Sequence, residues 1–346
     1  MAVKLKDIAE MAGVSIGTVD RALHNRGRVK PEVSERIKEI ANELNYKPNT
    51  VARGLTIQRK NLKIAVIFHI HKINDFFQDV LEGCQNAKTE LEDFGVEVKE
   101  FYCKDFDAES QLLLIDQAVK ENYSAIVLVP ICSDIIRDKL NELYANEFPV
   151  ILLTNIIDNC NFVSFIGCNY YAIGQLTAGL LHLMYRSGCN LTLFSPSLKM
   201  LGHVLRVKGL KDRIEEAYQN IHLSDVCELP GNQIDDYKIA VQELTEESKP
   251  DVIVCPSGNP GVLKAVQDAS VEDRPRIITY DFVENIQEKI INSEVDATIV
   301  QHAKLQGYQA VMTAFHYLVN KNNKIDKYQY LPANIILPEN IGDLDA

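Results

Sequence analysis

The sequence predicts a small all-α head joined by a short linker to a two-lobed α/β domain built on doubly wound parallel sheets. Three observations carry this reading of the 346 residues. Residues 1–46 hold three short stretches of helical periodicity separated by turn residues. Residues 61–346 alternate apolar, strand-like runs with amphipathic helical ones, the pattern of repeated β-α units with helices on both faces of a parallel sheet. The charge divides at the same place. Residues 1–60 carry 12 Lys and Arg against 7 Asp and Glu, a net of +5, and the remainder carries 24 against 41, a net of −17. A basic module on an acidic one is the charge pattern of a nucleic-acid-binding head attached to a second domain.

The head reads in order. Leu5–Gly13 is a short helix with Ile8, Ala9 and Ala12 on one face, stopped by Gly13. Ser15 suits the N-cap of a second helix, Ile16–Leu23. Ala9, Val14, Val19 and Leu23 supply a small core between the two, and a helix, a short Gly-containing turn and a helix make a helix-turn-helix. Arg21 lies near the middle of the second helix, and Asn25, Arg26 and Arg28 lie in the loop behind it. Pro31 opens a third helix at its first position. Val33, Ile37, Ile40, Ala41 and Leu44 form its apolar stripe before Tyr46-Lys-Pro48 stops it.

Leu5-Lys-Asp-Ile-Ala-Glu-Met-Ala-Gly-Val-Ser-Ile-Gly-Thr-Val-Asp-Arg21, followed by Asn42-Glu-Leu-Asn-Tyr-Lys-Pro-Asn49 and Val51-Ala-Arg-Gly-Leu55, resembles the lac-repressor (LacI/GalR) family. The likeness covers the whole head, and the joint spacing of the three segments makes it specific. It implies a sequence-specific DNA-binding transcriptional regulator, a repressor, with a helix-turn-helix head at 1–47, a hinge helix at 48–60 and a ligand-binding sensor at 61–346. Ile16, Gly17 and Arg21 then occupy positions that read base edges in the major groove. Ser15, Thr18 and Asn25 complete the head's DNA face, and Asn49, Ala52, Arg53 and Leu55 carry it into the hinge, with Leu55 wedging the minor groove. Two features depart from the family. Asp20 stands where Ser is usual, and Gly17 has no side chain to read with, so more of the readout falls on Arg21. Gly54 costs the hinge helix about 1 kcal/mol against Ala, and a free helix this short is marginal in any case.

Lys63–Phe68 reads as a buried strand. Val96–Phe101, Ala125–Val129, Val150–Leu153, Leu191–Phe194, Asp251–Cys255, Arg276–Tyr280 and Ala297–Val300 are further strand-like runs. Phe77–Asp93, Ala108–Glu121, Tyr171–Arg186, Val204–Tyr218, Asp235–Thr245, Val262–Ala269 and Leu305–Asn320 read as helices. By the resemblance this is a periplasmic-binding-protein-like sensor whose lobes are joined by three crossovers near Asn169, Gln301 and Tyr328. The first lobe is expected at about 61–169 and 301–328, the second at about 170–300 and 329–346.

Open α/β sheets bind ligands outside the carboxyl ends of their strands. The candidates are therefore the residues that follow the strands: His69, His71, Asp75, Phe76 and Phe77; Thr154 and Asn155; Arg206; Ser257, Gly258 and Asn259; Asp281 and Phe282; and Gln301. Aromatic faces with planar Arg, Asp, Asn and Gln groups suit a polyhydroxylated ligand, apolar ring face on the aromatic and adjacent hydroxyls on paired hydrogen bonds. The resemblance sharpens four of these. Arg206 three residues before Gly209, Asp281 in Thr-Tyr-Asp-Phe and Gln301 in Ile-Val-Gln-His match the family's effector positions, and Phe76-Phe77 resembles the stacking pair of ribose-binding relatives. Ser-Gly-Asn259-Pro departs from the family's Ala-Asn-Asp. The expected effector site is Phe76, Phe77, Asn155, Arg206, Asn259, Asp281 and Gln301, for a sugar or sugar derivative.

Other classes are disfavoured. No apolar run approaches the roughly 20 residues of a membrane span. Met1-Ala-Val-Lys-Leu-Lys-Asp-Ile has no apolar leader core, so a cytoplasmic protein is expected, with no membrane partner. The eight cysteines form no C-x-x-C pair, and His69-x-His71 with Asp75 lacks a third ligand at a fixed spacing, so no metal is expected. Nucleotide-binding glycine motifs and a nucleophile elbow are missing, so neither a cofactor nor an enzyme is expected. The expected partners are double-stranded, pseudo-palindromic operator DNA, a small effector and a second copy of the chain.

Overall fold

The computed structural model describes residues 5–23, 29–44, 46, 57–69, 75–104, 106–196, 198, 200–244, 249–256, 259–269, 274–281, 286–320 and 324–345. In the head, α1 (Leu5–Ala12), α2 (Ile16–Leu23) and α3 (Pro31–Glu43) close on Ile8, Val19 and Ile37, all fully buried. Gly13 turns the chain between α1 and α2 at φ +67°, a conformation that a Cβ would strain.

The first lobe begins with β1 (Lys63–Phe68), α4 (Asp75–Glu92), β2 (Glu97–Tyr102), α5 (Ala108–Lys120), β3 (Ala125–Leu128), α6 (Asp134–Ala145), β4 (Val150–Leu153) and β5 (Ser164–Cys168). The second holds α7 (Tyr170–Met184), β6 (Cys189–Ser195), α8 (Leu201–Ala217), β7 (Ile221–Glu228), α9 (Gln233–Glu243), β8 (Val252–Pro256), α10 (Pro260–Asp268), β9 (Arg276–Tyr280), α11 (Ile286–Ile291) and β10 (Ala297–Val300). The chain then returns to the first lobe as α12 (Ala303–Val319) and β11 (Tyr328–Leu331), and ends in the second as β12 (Asn334–Ile336) and the 3-10 segment Pro338–Asp345. Each lobe carries a six-stranded sheet, in the orders β11-β5-β4-β3-β1-β2 and β12-β10-β9-β8-β6-β7. Every pair is parallel except β10 with β12. Strands buried on both faces explain the continuous apolar runs of β1, β3 and β4.

The two lobes use one packing device. An ideal Cβ on Gly83 of α4 would lie 1.8 Å from the Lys304 carbonyl oxygen of α12, and one on Gly307 would lie 1.9 Å from that of Val80. In the second lobe, a Cβ on Gly174 of α7 would lie 2.1 Å from the Arg206 oxygen, and one on Gly209 of α8 would lie 2.0 Å from that of Tyr171. Glycine lets each helix pair touch backbone to backbone, on one face of its sheet.

The structure differs from the sequence reading in places. The third crossover lies beyond Tyr328, because Tyr328–Leu331 pairs in register with Phe165–Cys168 as an edge strand of the first sheet. Its tyrosines rest on Phe165, at 6.5 and 6.1 Å between ring centroids, so the chain leaves the first lobe after Leu331. β5, β7, β11, β12, α6 and α11 were absent from the reading. β7 is an edge strand interrupted by polar residues and a register shift opposite Leu191 and Leu193, which breaks its alternation.

Candidate functional site

Two surfaces carry the residues singled out by sequence. In the head, the Ser15 hydroxyl accepts the Thr18 amide at 3.1 Å and meets the Thr18 hydroxyl at 2.9 Å, so both side chains fix the start of α2. Ile16 is 49% exposed although apolar, and Gly17 is exposed beside it. The Arg21 Nε donates to the Gly17 carbonyl at 2.9 Å, holding the guanidinium along α2. Asn25, Asn49, Ala52, Arg53 and Leu55 lie outside the described residues, as do His71, Ser257, Gly258 and Phe282.

The second surface is a cleft of about 730 Å³ at the carboxyl ends of the strands of both sheets. All seven residues expected at the effector site line it. Phe76 and Phe77 come from the first turn of α4, edge to face at 5.2 Å. Thr154 and Asn155 follow β4, Asp281 follows β9, Gln301 follows β10, and Arg206 projects from α8. The Arg206 guanidinium stands 4.1 Å from the Tyr280 ring and 5.4 Å from the Tyr170 ring. Two π faces on a buried cation stabilise it without consuming its hydrogen-bond donors. The Asp281 carboxylate accepts the Gln301 side-chain amide. Asp281 itself has φ +69°, a left-handed conformation that Asp tolerates, and its carbonyl accepts the Thr298 hydroxyl at 2.7 Å.

Asn259 is placed differently. Its Oδ1 caps α10 through the amides of Gly261 and Val262, at 2.9 and 3.1 Å, and its Nδ2 donates to Asp236 at 2.8 Å. Both ends of the side chain are committed to the fold.

Sequence reasoning passed over Tyr170, Phe106, His203 and Tyr280's stacking role, and named His69 as following a strand and as half of a His-x-His pair without a third ligand. His69 is 2% exposed, with its ring edge on to Phe77 at 4.7 Å and Phe106 at 5.2 Å. Burial among apolar groups pushes its pKa down to about 4, so the ring is neutral near pH 7. The unfolded chain therefore takes up a proton at this position before the folded one does. Stability from this group is complete above the unfolded value of 6.5 and is lost as pH falls toward 4. Between pH 7.5 and 5 the loss should be about 2 kcal/mol. Urea unfolding at the two pH values checks this: His69→Phe should lose less than the parent by that amount, and equal losses would refute it.

Comparison with known proteins agrees with this layout. Residues 4–49 match the family model of bacterial regulatory proteins, lacI family, and residues 64–322 match the periplasmic binding protein domain. The chain belongs to the lacI family. It is a DNA-binding transcriptional regulator, a helix-turn-helix head followed by a periplasmic-binding-protein domain. Among the relatives of this lacI-family chain is catabolite control protein A of Staphylococcus epidermidis, 21% identical over 274 residues, 79% of either chain. The HTH-type transcriptional repressor PurR of Histophilus somni is 23% identical over 340 residues, 96% of this chain and 97% of its own. In fold, the lacI-family chain is similar to GanP, a glucose-galactose binding protein from Geobacillus stearothermophilus. The TM-score is 0.72 at 18% identity, covering 81% of this chain and 98% of that one. Among the described residues no helix is long and apolar enough to cross a membrane, and no cluster of three metal-ligating side chains occurs.

Proposed function

We propose that this regulator is a repressor whose operator affinity is set by a neutral, polyhydroxylated sugar-like effector seated in the interlobe cleft. The observation that carries this is a set of unmet hydrogen bonds. Five of the nine buried side-chain polar atoms without a partner among the described residues belong to cleft-lining residues: His69 Nδ1, Thr154 Oγ1, Asn155 Oδ1, Arg206 Nε and Gln301 Oε1. A buried polar atom left unpaired costs about 1–3 kcal/mol, so a ligand rich in hydroxyls, each both donor and acceptor, is what the wall is complementary to. The larger concavity at the other end of the first sheet, about 850 Å³ and lined by Tyr123, Tyr144 and Tyr317, has no such atom among its lining residues. One guanidinium and one carboxylate among the lining side chains offset each other, which favours a neutral ligand over a phosphate or uronate. Phe76 and Phe77 offer the apolar wall for a sugar ring. GanP, described as a glucose-galactose binding protein, supports the same class of ligand.

The effector set is then Phe76, Phe77, Asn155, Arg206, Asp281 and Gln301, joined by His69 and Thr154, with Asn259 shaping the rim. On DNA, Ile16 and Arg21 read base edges, Ser15, Gly17, Thr18 and Asn25 set the approach of α2, and Asn49, Ala52, Arg53 and Leu55 engage the minor groove. Two heads on a pseudo-palindromic operator make the working unit a cytoplasmic homodimer. Thermal unfolding against neutral pentoses, hexoses and polyols, beside sugar phosphates and uronates, tests the effector class. A neutral sugar at 100 times its Kd should add roughly 2.7 kcal/mol. Stabilisation by the charged sugars alone, or by none of the panel, would refute it.

A further inference from the structure

Tyr170 touches both halves of the cleft. It is the first residue of α7, immediately after the first crossover, and its ring belongs to the buried core of the second lobe. That ring forms one wall of the Arg206 pocket, and Tyr280 forms another. It is held from behind by Gly202, where a Cβ would come to 3.0 Å of the ring carbons. The Tyr170 hydroxyl leaves the second lobe and donates to the carbonyl of Thr154, at 2.5 Å, at the end of β4 in the first lobe. The acceptor is an unusual piece of backbone. Thr154 has φ +59°, and the Asn155 amide closes a three-residue turn on the Leu153 carbonyl at 2.6 Å. A β-branched residue in the left-handed region is strained and persists only where its surroundings hold it. The bond from Tyr170 is such a hold, and the side chains it steadies, Thr154 and Asn155, both present unpaired atoms to the cleft.

We propose that Tyr170 is the positioning residue of the regulator: its ring seats the Arg206 guanidinium while its hydroxyl ties that seat to the Thr154 turn of the opposite lobe. A ligand that pulls on Arg206 is thereby felt at the end of β4, and the angle between the lobes and the occupancy of the arginine are set by one side chain. This rests on the cleft being the effector site, but its test needs no effector, so a failed sugar panel and a failed result here are distinguishable.

The test follows amide hydrogen exchange and the Arg206 Nε–H resonance in the full chain without added ligand. Tyr170→Phe keeps the ring and removes the hydroxyl. The arginine proton should stay at its upfield, ring-flanked position, while exchange of the Thr154 and Asn155 amides accelerates about tenfold, the value of one lost hydrogen bond. Amides of the sheet interiors, such as Val66 and Val254, should exchange as in the parent. Arg206→Ala should accelerate the same two turn amides in the parent and add nothing in Tyr170→Phe, because the path has already been cut. Tyr170→Leu should also shift the arginine proton downfield. If that variant does not fold, the Phe variant decides alone. Unchanged exchange at Thr154 and Asn155 in Tyr170→Phe, an equal rise through both sheets, or additive effects of the two substitutions would overturn the proposal.

Discussion

Gly307→Val is expected to destabilise the first lobe by about 4 kcal/mol, at the upper end of what overpacking a core costs. The added Cβ would meet the Val80 oxygen at 1.9 Å, the Val80 carbonyl carbon at 2.9 Å and the Cys84 amide nitrogen at 3.0 Å. All three are backbone atoms, so no rotamer change relieves the clash and the helices must separate. Separation loosens Val80, Cys84 and Ala87 from Ala310, Val311 and Ala314, which share one core. It also breaks the Cys84 thiol's contact with the Gly307 carbonyl at 3.5 Å. Gly179 is the control. It lies in α7 with nothing within 4 Å of an ideal Cβ, so Gly179→Ala should stabilise by up to about 1 kcal/mol through helix propensity alone. Urea unfolding of both variants decides the matter, and similar midpoints would show that α4 and α12 can move apart at little cost.

Asp281→Asn is expected to weaken binding of the sugar found by the thermal screen by about a hundredfold, the value of two charge-assisted hydrogen bonds. Asn has the same shape and also tolerates the left-handed backbone at φ +69°, so the turn itself should survive. What changes is chemical. Both oxygens of the carboxylate only accept, one of them from Gln301, whereas the amide would turn a donor toward ligand hydroxyls or toward Gln301. Arg206 would also lose its counter-charge in the cleft. Calorimetric titration of parent and variant is the measurement, and an affinity within threefold of the parent would remove Asp281 from the site.

How far the sequence disclosed this varies with how local the signal is. The head was legible because its helices are amphipathic and carry their own punctuation at Gly13, Ser15 and Pro31. β1, β3 and β4 were legible because central parallel strands are apolar on both faces. α6 was missed although Ile136, Leu140 and Leu143 share one buried face behind the Ser133 cap. That signal was present and unused. β11 is different: its two tyrosines remain 44% and 51% exposed, and nothing in a Tyr-Gln-Tyr-Leu segment says which sheet edge receives it. In the site, strand ends located Asp281 and Gln301, and the spacing to Gly209 located Arg206 on its helix. They could not show that Asn259 spends its side chain on a helix cap, or that His69 is enclosed by Phe77 and Phe106. The importance of Tyr170 arises only where two lobes meet.

Thr154, Asp281 and His302 all hold left-handed backbone without being glycine, at φ +59°, +69° and +52°, each within two residues of a strand end beside the cleft or its crossover. Such positions cost on the order of 1 kcal/mol apiece relative to an unstrained residue. Selection for heat resistance alone would therefore act on this region early, replacing these residues with glycine or relaxing their turns. A laboratory lineage evolved only to survive warming would drift toward a sturdier protein with a blunted response. In natural relatives, growth temperature and effector response would be expected to compete for the same few positions.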